Sequence, residues 1–225
     1  MGPVGADAAA YAERDPGYSP DAIRDAAVKL LGNEVRGRIL DAGSGSGSWL
    51  RLLLKSFPNI THATSVDIFD AGASKVEGVE FFLGDVCRDP LPIADASLDW
   101  VFAIEVVEHL ANPRAFLKEA ARCLRPGASL FLSTPNNDAL TSRLSLLFRG
   151  YFPAFSDENY RASGHITPVL AVDLRRMANE LGFSKITFAF PLGGRIPKMA
   201  MEWQRVLPGL RGSLWSDVLF CRIVR

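Results

Sequence analysis

The stretch Ile39-Leu40-Asp41-Ala42-Gly43-Ser44-Gly45-Ser46-Gly47 carries a short apolar run into a helix-forming segment through three alternating glycines. Glycine adopts backbone conformations closed to other residues and lets a ligand approach the main chain. The helix that follows offers unsatisfied N–H groups at its start. A strand, a glycine turn and a helix in that order belong to an open α/β sheet, whose ligands bind beyond the carboxyl ends of the strands. A dinucleotide fingerprint would have its third glycine at position 48, which is Ser48.

The rest of the chain keeps the same rhythm. Strands are expected at 38–41, 63–67, 79–83, 98–104 and 129–133, with helices at 47–56 and 113–124. This alternation predicts a doubly wound, mostly parallel sheet with helices on both faces. Residues 1–20 read as a flexible arm, and a helix from Asp21 to about Leu31 ends at Gly32-Asn33. A helix at 168–181, a strand at 184–190 and a last strand at 215–224 close the chain. Two terminal strands without a long helix between them suggest an antiparallel addition to the sheet edge. The division expected is an arm and helix over 1–34 and a cofactor-binding domain over 35–225.

Composition narrows the partners. Lysine plus arginine equals aspartate plus glutamate at 25 each, which argues against a nucleic-acid partner. The 48% apolar content suits a sizeable core. Cys87, Cys123 and Cys221 are too scattered for a disulfide framework or a zinc motif, and a reducing cytoplasm fits. Neither a signal peptide nor a run long enough to span a bilayer is visible.

Two acids strengthen the nucleoside reading. Asp67 ends the second strand, where an acid accepts hydrogen bonds from ribose hydroxyls, with Ile68 beside it. Asp85, followed by Val86, ends the third strand and is placed for an adenine amino group. With Leu98-Asp99-Trp100-Val101-Phe102, Glu105 to Leu110, Leu124-Arg125-Pro126-Gly127 and Ser133-Thr134-Pro135-Asn136, the pattern resembles class I S-adenosylmethionine (SAM)-dependent methyltransferases. It is similar to the ubiquinone-biosynthesis O-methyltransferases and their relatives and covers roughly residues 35–190. The resemblance implies a Rossmann-like seven-stranded sheet with its last strand antiparallel. It also implies that Asp41, Gly43, Gly45 and Gly47 hold the methionyl end of SAM, Asp67 the ribose, and Asp85-Val86 the adenine. Glu105 is a further cofactor contact.

Glu105, Glu108 and His109 stand at i, i+3 and i+4, which on a helical turn puts them on one face. With His165 they form the ligand set if a divalent cation is present, as in some relatives of this pattern. The reading adopted here has no metal, with His109, Glu108 and His165 as candidate catalytic groups for taking a proton from a hydroxyl. The acceptor is expected to be a small molecule enclosed by a lid, residues 139–165, inserted after strand five and rich in leucine, aromatics and arginine. Reversible contact of that segment with a membrane surface is a second use. The rival readings are an RNA 2′-O-methyltransferase, a non-catalytic SAM- or nucleoside-binding module, and an NAD-linked dehydrogenase.

Overall fold

The computed structural model describes residues 20–196 and 201–225. The arm expected before Pro20 lies almost entirely outside the described residues. Seven strands form one sheet in the order β3-β2-β1-β4-β5-β7-β6. They are β1 (Gly37–Ala42), β2 (Ile60–Asp67), β3 (Val79–Leu83), β4 (Leu98–Ile104), β5 (Leu124–Pro135), β6 (Lys185–Ala189) and β7 (Val218–Val224). Strands β1 to β5 pair in parallel, while β7 runs antiparallel between β5 and β6. The expected seven-stranded sheet with an antiparallel last strand is therefore what forms.

Strand β4 is buried along its whole length, and alternate side chains serve opposite faces. Trp100, Phe102 and Ile104 join a core with helices α1 (Asp21–Leu31) and α2 (Ser48–Ser56), through Ile23, Ala27, Leu31, Trp49 and Leu53. Val101 and Ala103 join the opposite core, as does Leu98 across a register shift between Leu98 and Trp100, and this core takes Phe116 and Leu117 from α3 (Pro113–Cys123) and Leu174 and Met177 from α6 (Ala171–Glu180). The period-two alternation of a strand thus divides one apolar run between two helical layers. Phe102 is the hub of the first layer, stacked on Trp100 and edge-on to Trp49 and Phe131. Helix α3 starts where its residues dictate: Asn112 caps the Ala115 amide at 3.1 Å and Pro113 fills the first turn.

Segment 139–165 holds more regular structure than a lid loop. It contains α4 (Leu140–Arg149), a 3₁₀ turn (Pro153–Phe155) and α5 (Asp157–Ser163). Gly150 and Gly164, both left-handed, end the two helices. The remaining short helix, α7 (Trp203–Val206), lies in the connection from β6 to β7. The last strand is shorter than expected because the residues before Val218 form a turn tied to Asn136, which donates to the carbonyls of Ser213 and Ser216.

Candidate active site

The sheet order reverses direction at β1, with β2 on one side and β4 on the other. That switch point opens a crevice at the carboxyl ends of the strands. The glycine turn stands at its edge. Gly43, Gly45 and Gly47 all have positive φ, at 73°, 50° and 75°. A Cβ on Gly43 would lie 2.6 Å from Val106 Cγ2, and one on Gly47 would lie 2.6 Å from Val76 Cγ2. These two glycines therefore serve the tight packing of the turn as well as its left-handed path.

Asp67 locks the turn to β2. Its Oδ2 accepts the Gly45 amide at 2.7 Å and its Oδ1 the Phe69 amide at 3.2 Å. The Gly43 amide donates to the Val66 carbonyl at 2.8 Å. Asp41, at the end of β1, is buried, and its Oδ2 has no hydrogen-bond partner. Burial and the neighbouring Asp67 charge push the Asp41 carboxyl well above the usual carboxylate range. Burial also raises Asp67, against the opposing pull of the amides that bond it. Among the described residues, Ser44 Oγ, Ser65 Oγ and Glu108 Oε1 are likewise buried without a partner. An unpaired buried polar atom costs about 1–3 kcal/mol, so Asp41 Oδ2 and Ser44 Oγ, at the entry to the glycine turn, mark a place for a polar ligand.

The third strand contributes less openly. Asp85 Oδ1 accepts the Cys87 amide at 2.8 Å, and its Oδ2 lies 3.4 Å from Arg88. Val86 packs into the core with Val66 and Val106. The loop that carries both is held from α3 by Arg122, which donates to the carbonyls of Leu91 and Ile93.

Beyond β4 the chain departs from the expected helical turn. Glu105 is a non-glycine residue with φ of 54°, and the 3₁₀ turn begins only at Val107. Glu105 therefore does not share a helical face with Glu108 and His109. Its amide donates to the Ser133 carbonyl at 3.2 Å, and Ser133 Oγ donates to its Oε1 at 2.6 Å. The reason is a β-type bond continued past the strand end, which the i, i+3, i+4 spacing does not anticipate. Glu108 is fully buried and accepts from Thr134 Oγ1 at 3.0 Å. Its carbonyl accepts the amides of Ile166 and Thr167 at 3.0 Å each, which brings the end of the 139–165 segment against this turn.

Those contacts bring His165 to His109, with ring centroids 4.8 Å apart and edge to face. His109 Nδ1 lies 3.3 Å from the Gly164 carbonyl, and His165 Nδ1 lies 2.8 Å from the Ala154 carbonyl. A carbonyl only accepts, so each Nδ1 carries the proton in its bond, and in the neutral ring Nε2 is the basic atom. Ligand atoms of Glu108, His109 and His165 all lie within 4.8 Å of one another. The expected grouping thus forms without Glu105. Ser133 and Thr134, which hold the two glutamates, enter the sequence analysis only as part of the Ser133–Asn136 motif, with no site role. Their signal is polarity in the buried half of β5.

Burial raises the Glu105 carboxyl to about 7, and burial plus the Glu105 charge raise Glu108 well above its usual range. A carboxyl raised in the folded state binds protons that the unfolded chain releases, so its contribution to stability is full below about 4.5 and is lost as pH rises through about 7. Replacing Glu105 with Gln removes this loss while keeping an oxygen for Ser133. Melting temperatures of the two proteins should diverge between pH 5 and pH 8 in favour of Glu105→Gln. Parallel curves over that interval would contradict the burial assigned to Glu105.

Residues 11–187 match the family described as a methyltransferase domain. An O-methyltransferase of Aspergillus nomiae is 34% identical over 167 residues, covering 68% of this chain and 73% of that protein. A ubiquinone biosynthesis O-methyltransferase of Maricaulis maris is 30% identical, covering 49% of this chain and 45% of its own length. A malonyl-[acyl-carrier protein] O-methyltransferase of Hahella chejuensis is 36% identical over 43% of this chain and 36% of its own length. The chain thus spans less than half of the last two relatives. In fold, it superposes on a SAM-dependent methyltransferase of Archaeoglobus fulgidus with a TM-score of 0.64, at 19% identity and 96% and 98% coverage. The family match spans the glycine turn, both acids and the Glu105–His109 segment, and on that ground the chain belongs to the SAM-dependent methyltransferases.

Proposed function

We propose that the protein transfers the methyl group of SAM to a hydroxyl of a small molecule held between the crevice and segment 139–165. The observation that carries this reading is the meeting of Glu108, His109 and His165 beside the SAM crevice. The crevice suits the cofactor: the unpartnered Asp41 Oδ2 is an acceptor for the methionyl ammonium, and a cation there favours ionised Asp41. Asp67 keeps lone pairs beyond its two amide bonds for the ribose hydroxyls. Asp85 and Val86 remain the adenine candidates.

Bound SAM supplies an electrophilic methyl carbon on a sulfonium. The residues of this chain have two tasks, orientation and proton removal. With SAM and acceptor bound, His109 would take the hydroxyl proton at Nε2. The Gly164 carbonyl keeps the His109 ring in the tautomer that leaves Nε2 basic. His165, packed against Phe155 with ring centroids 5.6 Å apart, joins the site to the 3₁₀ turn of the lid segment. A positioned base of this kind contributes about 10²–10⁴-fold. The balanced charge favours a small acceptor over RNA.

A divalent cation at Glu108, His109 and His165 is a second reading. It is favoured by the carbonyl acceptors that orient both imidazoles, the usual support of metal-bound histidine. Such an ion would acidify a hydroxyl bound to it.

Two measurements test these assignments. Asp67→Ala should raise the Kd for SAM at least fivefold, about 1 kcal/mol, since a charged hydrogen bond is lost and the turn loses its tether. An unchanged Kd in a folded variant would overturn the Asp67 role. A screen of small hydroxylated acceptors, read by mass for one added methyl group, should identify a substrate. With it, His109→Gln should lower kcat at least a hundredfold while the SAM Kd stays within twofold. Full turnover by that variant would exclude His109 as the base. Loss of activity with chelator, restored by Mg²⁺, Mn²⁺ or Zn²⁺, would favour the metal reading over the metal-free base.

A further inference from the structure

Helix α4 is turned inside out. On an ordinary surface helix the apolar stripe faces the core and polar residues face water. Here the buried positions are Ser142 and Ser145, whose hydroxyls donate to the carbonyls of Asn136 and Tyr151 at 2.9 Å each. The apolar residues face outward. Leu147 is 73% exposed and Phe148 79% exposed, and Leu144 is exposed one turn before them. Their i, i+3, i+4 spacing makes one continuous stripe. Tyr151, also exposed, extends it beyond Gly150. An outward stripe of large apolar side chains marks a surface that is covered in use.

The charges beside the stripe indicate what covers it. Arg143 borders it, one turn before Leu147, while Arg149 closes the helix on the serine face, and no acid occurs from Ala139 to Ser156. Arg143 reaches back to Asp138 at 3.6 Å, and Arg149 makes no ion pair among the described residues. The next acids, Asp157 and Glu158, open the following helix. Leucine and phenylalanine on the exposed face, tyrosine at its end and arginine at its border suit the boundary between acyl chains and anionic headgroups. Among the described residues no helix is long and apolar enough to cross a membrane, so contact through α4 would be peripheral.

We propose that the exposed face of α4 docks on an anionic lipid surface, with Leu144, Leu147 and Phe148 entering the acyl boundary and Arg143 meeting the headgroups. The segment that follows α4 carries the Ala154 carbonyl bonded to His165, so the docking face and the candidate acceptor site belong to one structural unit.

The test reads lipid binding alone and is independent of the acceptor assigned above. The full chain is sedimented with vesicles of phosphatidylcholine, with and without phosphatidylglycerol. Binding should be at least tenfold stronger with phosphatidylglycerol and should weaken as salt rises from about 0.1 M to about 0.5 M, as screening requires. Leu147→Glu combined with Phe148→Glu should abolish it, with circular dichroism and the SAM Kd unchanged. Arg143→Gln should cost about fivefold. Failure to bind the anionic vesicles, or equal binding by the double glutamate variant, would overturn the proposal. So would sedimentation showing a wild-type dimer that the double glutamate variant dissolves, since the stripe would then cover a second copy of the chain.

Discussion

The hydrogen bond from the Gly45 amide to Asp67 Oδ2 holds the crevice together. Parallel strands β1 and β2 end side by side, and the chain leaving β1 must turn sharply into α2 without closing the space above the sheet. Three left-handed glycines permit that path, and a charge-assisted bond to the neighbouring strand fixes it. The consequence is electrostatic. Burial, and with it the nearby Asp67 charge, disfavours ionisation of Asp41. A ligand that brings positive charge relieves this cost, and SAM brings both an ammonium and a sulfonium.

The far wall follows the same logic with different residues. Polar side chains in buried β5 are costly unless bonded, and Ser133 and Thr134 meet that requirement by holding Glu105 and Glu108. Holding Glu105 against β5 forces its backbone into the left-handed region, an arrangement that a non-glycine residue keeps only where its surroundings over-determine it. The chain then resumes as a 3₁₀ turn, and the Glu108 carbonyl receives the returning segment at Ile166 and Thr167. His165 reaches His109 because of this backbone contact. The pair of histidines is thus a product of tertiary structure, with local spacing contributing only Glu108 and His109.

What could be read from the sequence follows from the range of the forces involved. Strands β3 and β4 match their expected bounds because each is a short apolar run closed by a polar turn. The glycine turn and the acids after β2 and β3 were visible for the same reason, being set by local chemistry at strand ends. The face shared by Glu105 and His109 was misread because a long-range bond to Ser133 outweighed helical periodicity. The two helices within 139–165 were read as a lid loop because α4 buries serines and exposes leucines, the reverse of the pattern by which surface helices are recognised. The insertion of β7 between β5 and β6 depends on antiparallel pairing across distant residues, and sequence indicated only that an antiparallel edge was present.

Amide hydrogen exchange with and without SAM tests the central claim most directly, since it reports on every part of the crevice at once. Slowed exchange is expected at residues 43–48 and 67–69, with further protection at 85–87, and little change in β6, at the sheet edge far from β1. Protection confined to other parts of the sheet, or none at saturating SAM, would contradict the placement of the cofactor on the Gly45–Asp67 turn.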